Sequence, residues 1–377
     1  MSFVLVIIVM LSIYGGANFY TARKLFQFIG SCSVNLNAVL FAVLYILLAL
    51  TIVLGYTPLP FGINRLMRLI GSYWTGFFMY LFILFIAADL IILLGRLFNL
   101  IQVSMLNSAR FYSGLTVIVL TVAVVFYGIF NANQYKIVNY EVQLKDSSLS
   151  GMRIVLISDL HLGEVNSEKN LDKMAAAVNA LNPDIVCIAG DIFNDDYYAI
   201  RNPDRAINLF KSINAAYGVY ACLGNHDGGR TLDQMINFLE ESNIKLLNDE
   251  YVIIDERLAL FGRLDARPIG GSGNLKRRNI TEAIASTGAN MPVIVMDHNP
   301  AHINEYGGEV DLILSGHTHR GQMFPGSLFT RALFTVDYGH YQKDTDSPNV
   351  IVTSGAGTWF PPMRIGSNNE IVNILLR

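Results

Sequence analysis

The sequence predicts an α/β chain in two parts: an N-terminal transmembrane region of about four helices, followed by a layered α/β domain. Two observations carry this expectation. Apolar residues crowd into the stretch before residue 131, and beyond it short hydrophobic runs alternate with amphipathic segments.

Of the 377 residues, 52% are hydrophobic and only 15% are charged, against about 25% charged in an ordinary soluble domain. The apolar surplus falls in four stretches close to the roughly 20 residues a helix needs to cross a bilayer core. They are Phe3 to Tyr20, Leu36 to Tyr56 (which holds no charged residue), Ile70 to Leu94, and Tyr112 to Phe130. Arg65, Arg68, Arg96 and Arg110 stand at or beyond the ends of the last two, and Pro58 and Pro60 punctuate the turn between the second and third. The first stretch lacks the basic start of a signal peptide and three more spans follow it, so it reads as an anchor.

Orientation by Lys and Arg in the short loops ties. Arg23, Lys24, Arg96 and Arg110 stand against Arg65, Arg68, Lys136 and Lys145, and the side of the C-terminal domain stays open. Asp89, inside the third span, is an ionisable group in an apolar setting. Such a group is either a functional site or a partner for a neighbouring helix.

Residues 1–131 are therefore expected to form the transmembrane region, 132–150 a linker and first strand, and 151–377 the globular domain. "YKIVNYEVQL" (135–144) has a strand's period of two. The runs "MRIVLIS", "DIVCIA", "GVYACL", "PVIVM" and "DLILS" read as buried strands, and "NLDKMAAAVNAL" and "TLDQMINFLEES" as amphipathic helices, an alternation that argues for α/β layers.

The chemistry gathers at the carboxyl ends of those strands. They run into Asp159-Leu160-His161, Gly190-Asp191, Gly224-Asn225-His226-Asp227, Asp297-His298-Asn299 and Gly316-His317-Thr318-His319. Ligands of open α/β sheets bind at such ends, so five segments would deliver polar side chains to one rim. Of the seven histidines, His161, His226, His298, His317 and His319 stand at these ends, while His302 and His340 do not. Turn preference accounts for an isolated Asp or Asn, but not for clustered histidines. Carboxylate, amide and imidazole without cysteine suit manganese, iron, zinc or magnesium, and the donors are too many for one ion. Two ions about 3.5 to 4 Å apart form a clamp for displacement at phosphorus.

"SDLHLG", "GD", "GNHD", "DHNP" and "SGHTHRGQ", in this order, resemble the calcineurin-like metallophosphoesterases, in particular a bacterial branch with membrane-anchored members. The resemblance covers roughly Gly151 to Arg377, with further support from "KLLNDE", "LALFGRLD" and the closing "SGAGTWFPPMRIGSNNEIVNILL". It implies an α/β/β/α domain. It also implies one metal on Asp159, His161, Asp191 and His319, and a second on Asp191, Asn225, His298 and His317, with manganese favoured. His226 takes the family's catalytic role and Asp227 orients it. The implied reaction is hydrolysis of a phosphate ester or anhydride by water activated between the two ions.

Two departures from the family pattern stand out. Arg320 occupies the position that is commonly glycine after the second histidine, and is either a solvated loop residue or a contact to an anionic substrate. In "GDIFND", Asn194 precedes Asp195 and Asp196, which receive no role. Cys32 lies at the membrane end, while Cys187 and Cys222 fall in core strands, where free cysteine behaves as a small hydrophobe.

Four spans exceed what an anchor requires and the linker is short. The expected substrate is therefore a lipid-linked phosphate or pyrophosphate at the bilayer surface, with "GTWFPPMR" (357–364) as an amphipathic lip or as core packing. The alternatives are a phosphodiesterase acting on a soluble nucleotide and a catalytically silent membrane sensor or scaffold. The expected partners are the bilayer and the phosphate-bearing substrate, with no nucleic-acid duplex, and the expected location is a bacterial cell membrane.

Overall fold

The computed structural model describes residues 3–57, 59–145, 147–166, 168–285 and 291–377; Pro58, one of the punctuating prolines, lies outside them. The chain divides into two compact units, Met1–Gly128 and Ile129–Arg377.

The first unit is helical: α1 (Phe3–Ser31), α2 (Ala38–Leu54), α3 (Phe61–Leu97) and α4 (Leu106–Asn131). The stretches 62–97 and 103–131 are long and apolar enough to cross a membrane, whereas the apolar helix Ala38–Leu54 has 17 residues. The helices overrun the expected spans. α1 continues through Arg23 and Lys24, and α3 contains Arg65, Arg68 and Arg96, so these cations lie on helices and not in loops. Long cationic side chains are good helix formers and keep their heads in polar surroundings, so they need not end a helix. Asn37 caps α2 by accepting from the backbone N–H groups of Val39 and Leu40.

Asp89 is not alone. It pairs with Lys24 of α1 and accepts a 2.8 Å hydrogen bond from the Tyr20 hydroxyl. A carboxylate on an apolar helix is thereby satisfied from the neighbouring helix, which is what its high desolvation cost requires.

The second unit is built from two six-stranded sheets. In the first, β1 (Tyr135–Val142), β2 (Arg153–Ile157), β3 (Ile185–Ala189), β4 (Val219–Cys222), β5 (Ile244–Leu246) and β12 (Asn369–Leu376) take the order β1-β12-β2-β3-β4-β5. In the second, β6 (Glu250–Ile254), β7 (Leu258–Gly262), β8 (Val293–Met296), β9 (Leu312–Ser315), β10 (Gly339–Tyr341) and β11 (Asn349–Val352) take the order β10-β11-β9-β8-β7-β6.

Alternation along the strands assigns each side chain to a layer. Ile154, Leu156, Cys187 and Cys222 of the first sheet meet Leu260, Ile294, Met296 and Leu314 of the second in one core. The opposite neighbours Val155, Ile157, Val186 and Ile188 pack under α5 (Glu168–Ala180), α6 (Pro203–Lys211) and α7 (Leu232–Glu241). Ala259, Val293, Val295 and Ile313 face a third core, with α8 (Ile280–Ala285) contributing Ile280. Both faces of the parallel strands are covered, which explains their unbroken apolar runs. Because β2, β3 and β4 are parallel, and β8 is parallel to β9, their carboxyl ends point the same way within each sheet.

Candidate metal centre

Strands β2, β3, β8 and β9 end two residues before Asp159, Asp191, His298 and His317, and β4 ends three residues before Asn225; the turns that follow are tight. Asp159, His161, Asp191, His317 and His319 all adopt positive φ, between 46° and 71°. That region is unfavourable for residues with a Cβ, and such strain concentrates where a fold forces side chains toward a common point. Two glycines make room. A Cβ at Gly224 would collide with the Asp191 carboxylate, and one at Gly316 with Ser158 and the Asp159 carboxylate.

The turns bring the histidines and carboxylates into two groups, Asp159–His161–His319 and Asp191–His298–His317, in each of which the donor atoms lie within 4.8 Å of one another. In the first, His161 Nε2 lies 3.1 Å from His319 Nε2, and His319 Nε2 lies 3.3 Å from Asp159 Oδ1. In the second, His298 Nε2 lies 3.1 Å from Asp191 Oδ2. Asp191 reaches both groups, since the same Oδ2 lies 3.7 Å from His161 Nε2. Asn225 joins the second through its Oδ1, 2.8 Å from His317 Nδ1.

Three of the four candidate imidazole ligands are held neutral, as metal binding requires. Burial pushes the imidazoles of His161 and His317 down to about 3 and about 4, and holds His319 well below its ordinary value. Three neutral rings with lone pairs to offer are what a divalent cation needs. Burial pushes the Asp159 carboxyl up to about 6. Burial acts on Asp191 in the same sense, but His298 and the other histidines outweigh it and hold that carboxyl below the usual range. His298 places Nδ1 2.8 Å from the Ala189 carbonyl. Burial lowers the proton affinity of this imidazole, but the Asp191 carboxylate, 3.1 Å from Nε2, outweighs it and raises that affinity well above the ordinary value; a divalent cation between Nε2 and Asp191 would take the place of that proton. The donor set therefore fits two divalent ions.

His226 is fixed differently from the expectation. Its Nδ1 lies 2.7 Å from Asp195 Oδ1, and its backbone N–H donates to Asp191 Oδ1 at 2.8 Å. Burial lowers the affinity of this imidazole for a proton, but the Asp195 hydrogen bond and nearby carboxylates raise it above its ordinary value. Asp227, expected to orient His226, instead accepts from the backbone N–H groups of Ile192, Phe193 and Gly224 at 3.2, 2.8 and 2.9 Å. It is buried beneath the "GNHD" turn and ties that turn to the one that carries Asp191. Asp195 is given no role by the sequence because it lies 31 residues from His226 along the chain. Only its place after a strand-end aspartate could have marked it.

Arg320 does not stand free as a solvated residue: its guanidinium lies 4.2 Å over the Tyr338 ring, an arrangement that holds the loop by cation–π attraction. Arg364 carries no signal in the sequence. It is fully buried, and its guanidinium donates to the carbonyls of His319 at 3.1 Å and Gly357 at 2.6 Å, and to Asn369 Oδ1 at 2.8 Å. Asn166 performs a similar task nearby, donating to the carbonyls of His161 and Thr358. The "GTWFPPMR" segment divides between its two expected roles. Met363 and Arg364 are buried, while Trp359 is 50% exposed with its ring 5.7 Å from that of His226.

The model of the calcineurin-like phosphoesterase family matches residues 152–321. The chain is 30% identical over 285 residues to a zebrafish transmembrane protein with metallophosphoesterase domain, covering 72% of this chain and 64% of that one. It is 30% identical over 272 residues to an uncharacterized metallophosphoesterase of Campylobacter jejuni, covering 70% and 69%. It is 27% identical over 229 residues to the UDP-2,3-diacylglucosamine pyrophosphatase of Chlamydia trachomatis, covering 49% and 68%. The chain thus spans just under two thirds of the zebrafish protein's length.

Proposed function

As the chain belongs to the calcineurin-like phosphoesterase family, a family of metal-dependent phosphohydrolases, we propose that it is a membrane-bound two-metal enzyme cleaving a phosphate ester or pyrophosphate bond in a lipid-linked substrate at the bilayer surface. The observation that carries the reading is the pair of donor groups at the strand ends, linked by Asp191. Asp159, His161, Asp191 and His319 would hold one ion and Asp191, Asn225, His298 and His317 the other, with manganese favoured. Two divalent ions there would supply Lewis acidity at the phosphoryl oxygens and acidify water.

The chain's own side chains do the rest. His226 is not needed as a ligand and is free for proton chemistry. With Nδ1 engaged by Asp195, Nε2 is the nitrogen left to donate to a phosphoryl or leaving oxygen. The elevated proton affinity of His226 suits that donor role. Trp359, beside His226, walls the site with an apolar surface.

The lipid part of the reading is supported by the apolar N-terminal helices, all four of which we take as spans, and by two relatives. One is named as a transmembrane protein and the other as a pyrophosphatase of a diacylated sugar nucleotide. The test is turnover by the purified full chain of a diacylated pyrophosphate and of the water-soluble bis(p-nitrophenyl) phosphate, each with Asp191→Ala as blank. A kcat/KM at least about tenfold higher on the lipid is expected. Equal values would remove the lipid-linked substrate and leave the phosphodiesterase reading.

A further inference from the structure

We propose that helix α9 (Gly326–Leu333), with Phe324 and Trp359, forms a lipid-docking face beside the candidate metal centre, seated at the boundary between headgroups and acyl chains. None of the residues of α9 is buried. Leu328, Phe329 and Leu333 are 55%, 65% and 78% exposed, and Phe324, just ahead of the helix, is 53% exposed. Elsewhere in the domain, exposed large apolar residues such as Tyr198, Ile269 and Leu275 are spread along the chain, which is ordinary. A cluster of this kind marks an interaction surface.

The face is knit to the site. Gln322 donates to the carbonyls of Trp359 and Pro361 at 2.8 and 2.9 Å, and accepts from the Trp359 N–H at 2.8 Å. The Phe324 N–H donates to the Ile365 carbonyl at 2.7 Å. At the far end of α9, the Phe334 ring lies 5.9 Å from that of His317.

Two observations single out a bilayer as the occupant. The first is composition: Leu and Phe on the exposed surface with Arg331 in the last turn is the make-up of an interfacial helix, whose cation meets anionic headgroups. The second is continuity with α4, which is of membrane-crossing length and ends at Asn131. The Asn131 amide donates to the carbonyls of Arg364 and Ser367 at 3.0 and 2.8 Å, in the same C-terminal segment that carries Trp359. Phe130, next to Asn131, is itself 66% exposed. Asn131, the residue at which that helix ends, thus hydrogen-bonds the loop that joins the apolar face. Acyl chains lying along Leu328 and Phe329 would leave a lipid's phosphate at the strand-end rim.

This rests on the membrane-bound reading above, and its test separates the two. The full chain, with Cys32→Ser, carries an environment-sensitive fluorophore at Phe329→Cys or, as a control, at Ile253→Cys on the edge strand β6. It is placed in nanodiscs of phosphatidylcholine and phosphatidylglycerol containing lipids with a mid-chain nitroxide. Quenching at least about fivefold stronger at 329 than at 253 is expected of a side chain in the acyl boundary, and equal quenching overturns the proposal. This readout needs no turnover. In parallel, Leu328→Ser/Phe329→Ser is expected to raise KM for the diacylated pyrophosphate about tenfold with kcat/KM on bis(p-nitrophenyl) phosphate unchanged. A parallel loss on both substrates would mean that the face serves folding and not docking. A wild type inactive on both substrates would sink the phosphohydrolase reading alone, with the quenching result still deciding the docking face.

Discussion

His226 is held at Nδ1 by Asp195 and, in the proposed division of roles, stands outside the ligand groups; its removal and that of a ligand should therefore look different. His226→Ala is expected to lower kcat about 100- to 10,000-fold while bound metal, measured by mass spectrometry, stays at the wild-type level. Asp195→Asn should lower kcat about tenfold with KM and metal content unchanged. A parallel fall in metal content would show that Asp195 shapes the ligand cluster and does not position the imidazole. Arg320 lies over Tyr338, so Arg320→Ala is expected to lower unfolding free energy by about 0.5–1 kcal/mol without changing KM on the lipid substrate. A raised KM would restore the direct substrate contact. At this scale the sequence exposed the donors because chemistry restricts their types. It hid Asp195 and Arg364, whose partners are reached only across the fold: Arg364 meets His319 45 residues earlier in the chain.

Among elements, the parallel strands that carry the site were readable because burial on both faces demands continuous apolar runs, and their polar ends stood out by contrast; β5, β6, β7, β10, β11 and β12 were not read as strands. The helix limits in the first unit were not readable. Charge does not end a helix, and α1 passes through Arg23 and Lys24 without interruption. Helix α9 was hidden as well, since eight residues without a side-chain cap carry little local signal. The segment after Trp359 offers a test at this scale. Arg364 is buried and donates to the carbonyls of His319 and Gly357. Lysine cannot reproduce the planar fork, and each carbonyl left unpaired costs about 1–3 kcal/mol. Arg364→Lys should therefore lose several kcal/mol in urea unfolding and bind less metal; unfolding at the wild-type midpoint would show the guanidinium to be dispensable.

For the whole molecule, the two sheets share one core and supply their strand ends to one site, so metal and fold should be linked. Ions that bind only the folded state stabilise it by mass action, by about 2.7 kcal/mol at a hundredfold excess over Kd. Chelation should lower the unfolding temperature of the wild type and leave that of Asp191→Ala, which has lost the carboxylate that lies near histidines of both donor groups, nearly unmoved. The central claim is that these strand ends hold a catalytic pair of ions. The most direct measurement is metal content per chain of the purified full-length protein, taken together with phosphodiester turnover, for wild type, Asp191→Ala and His226→Ala. The expected result is two divalent ions in the wild type, loss of metal and turnover in Asp191→Ala, and metal retained with turnover lost in His226→Ala. A metal-free wild type whose turnover is untouched by chelator would contradict it.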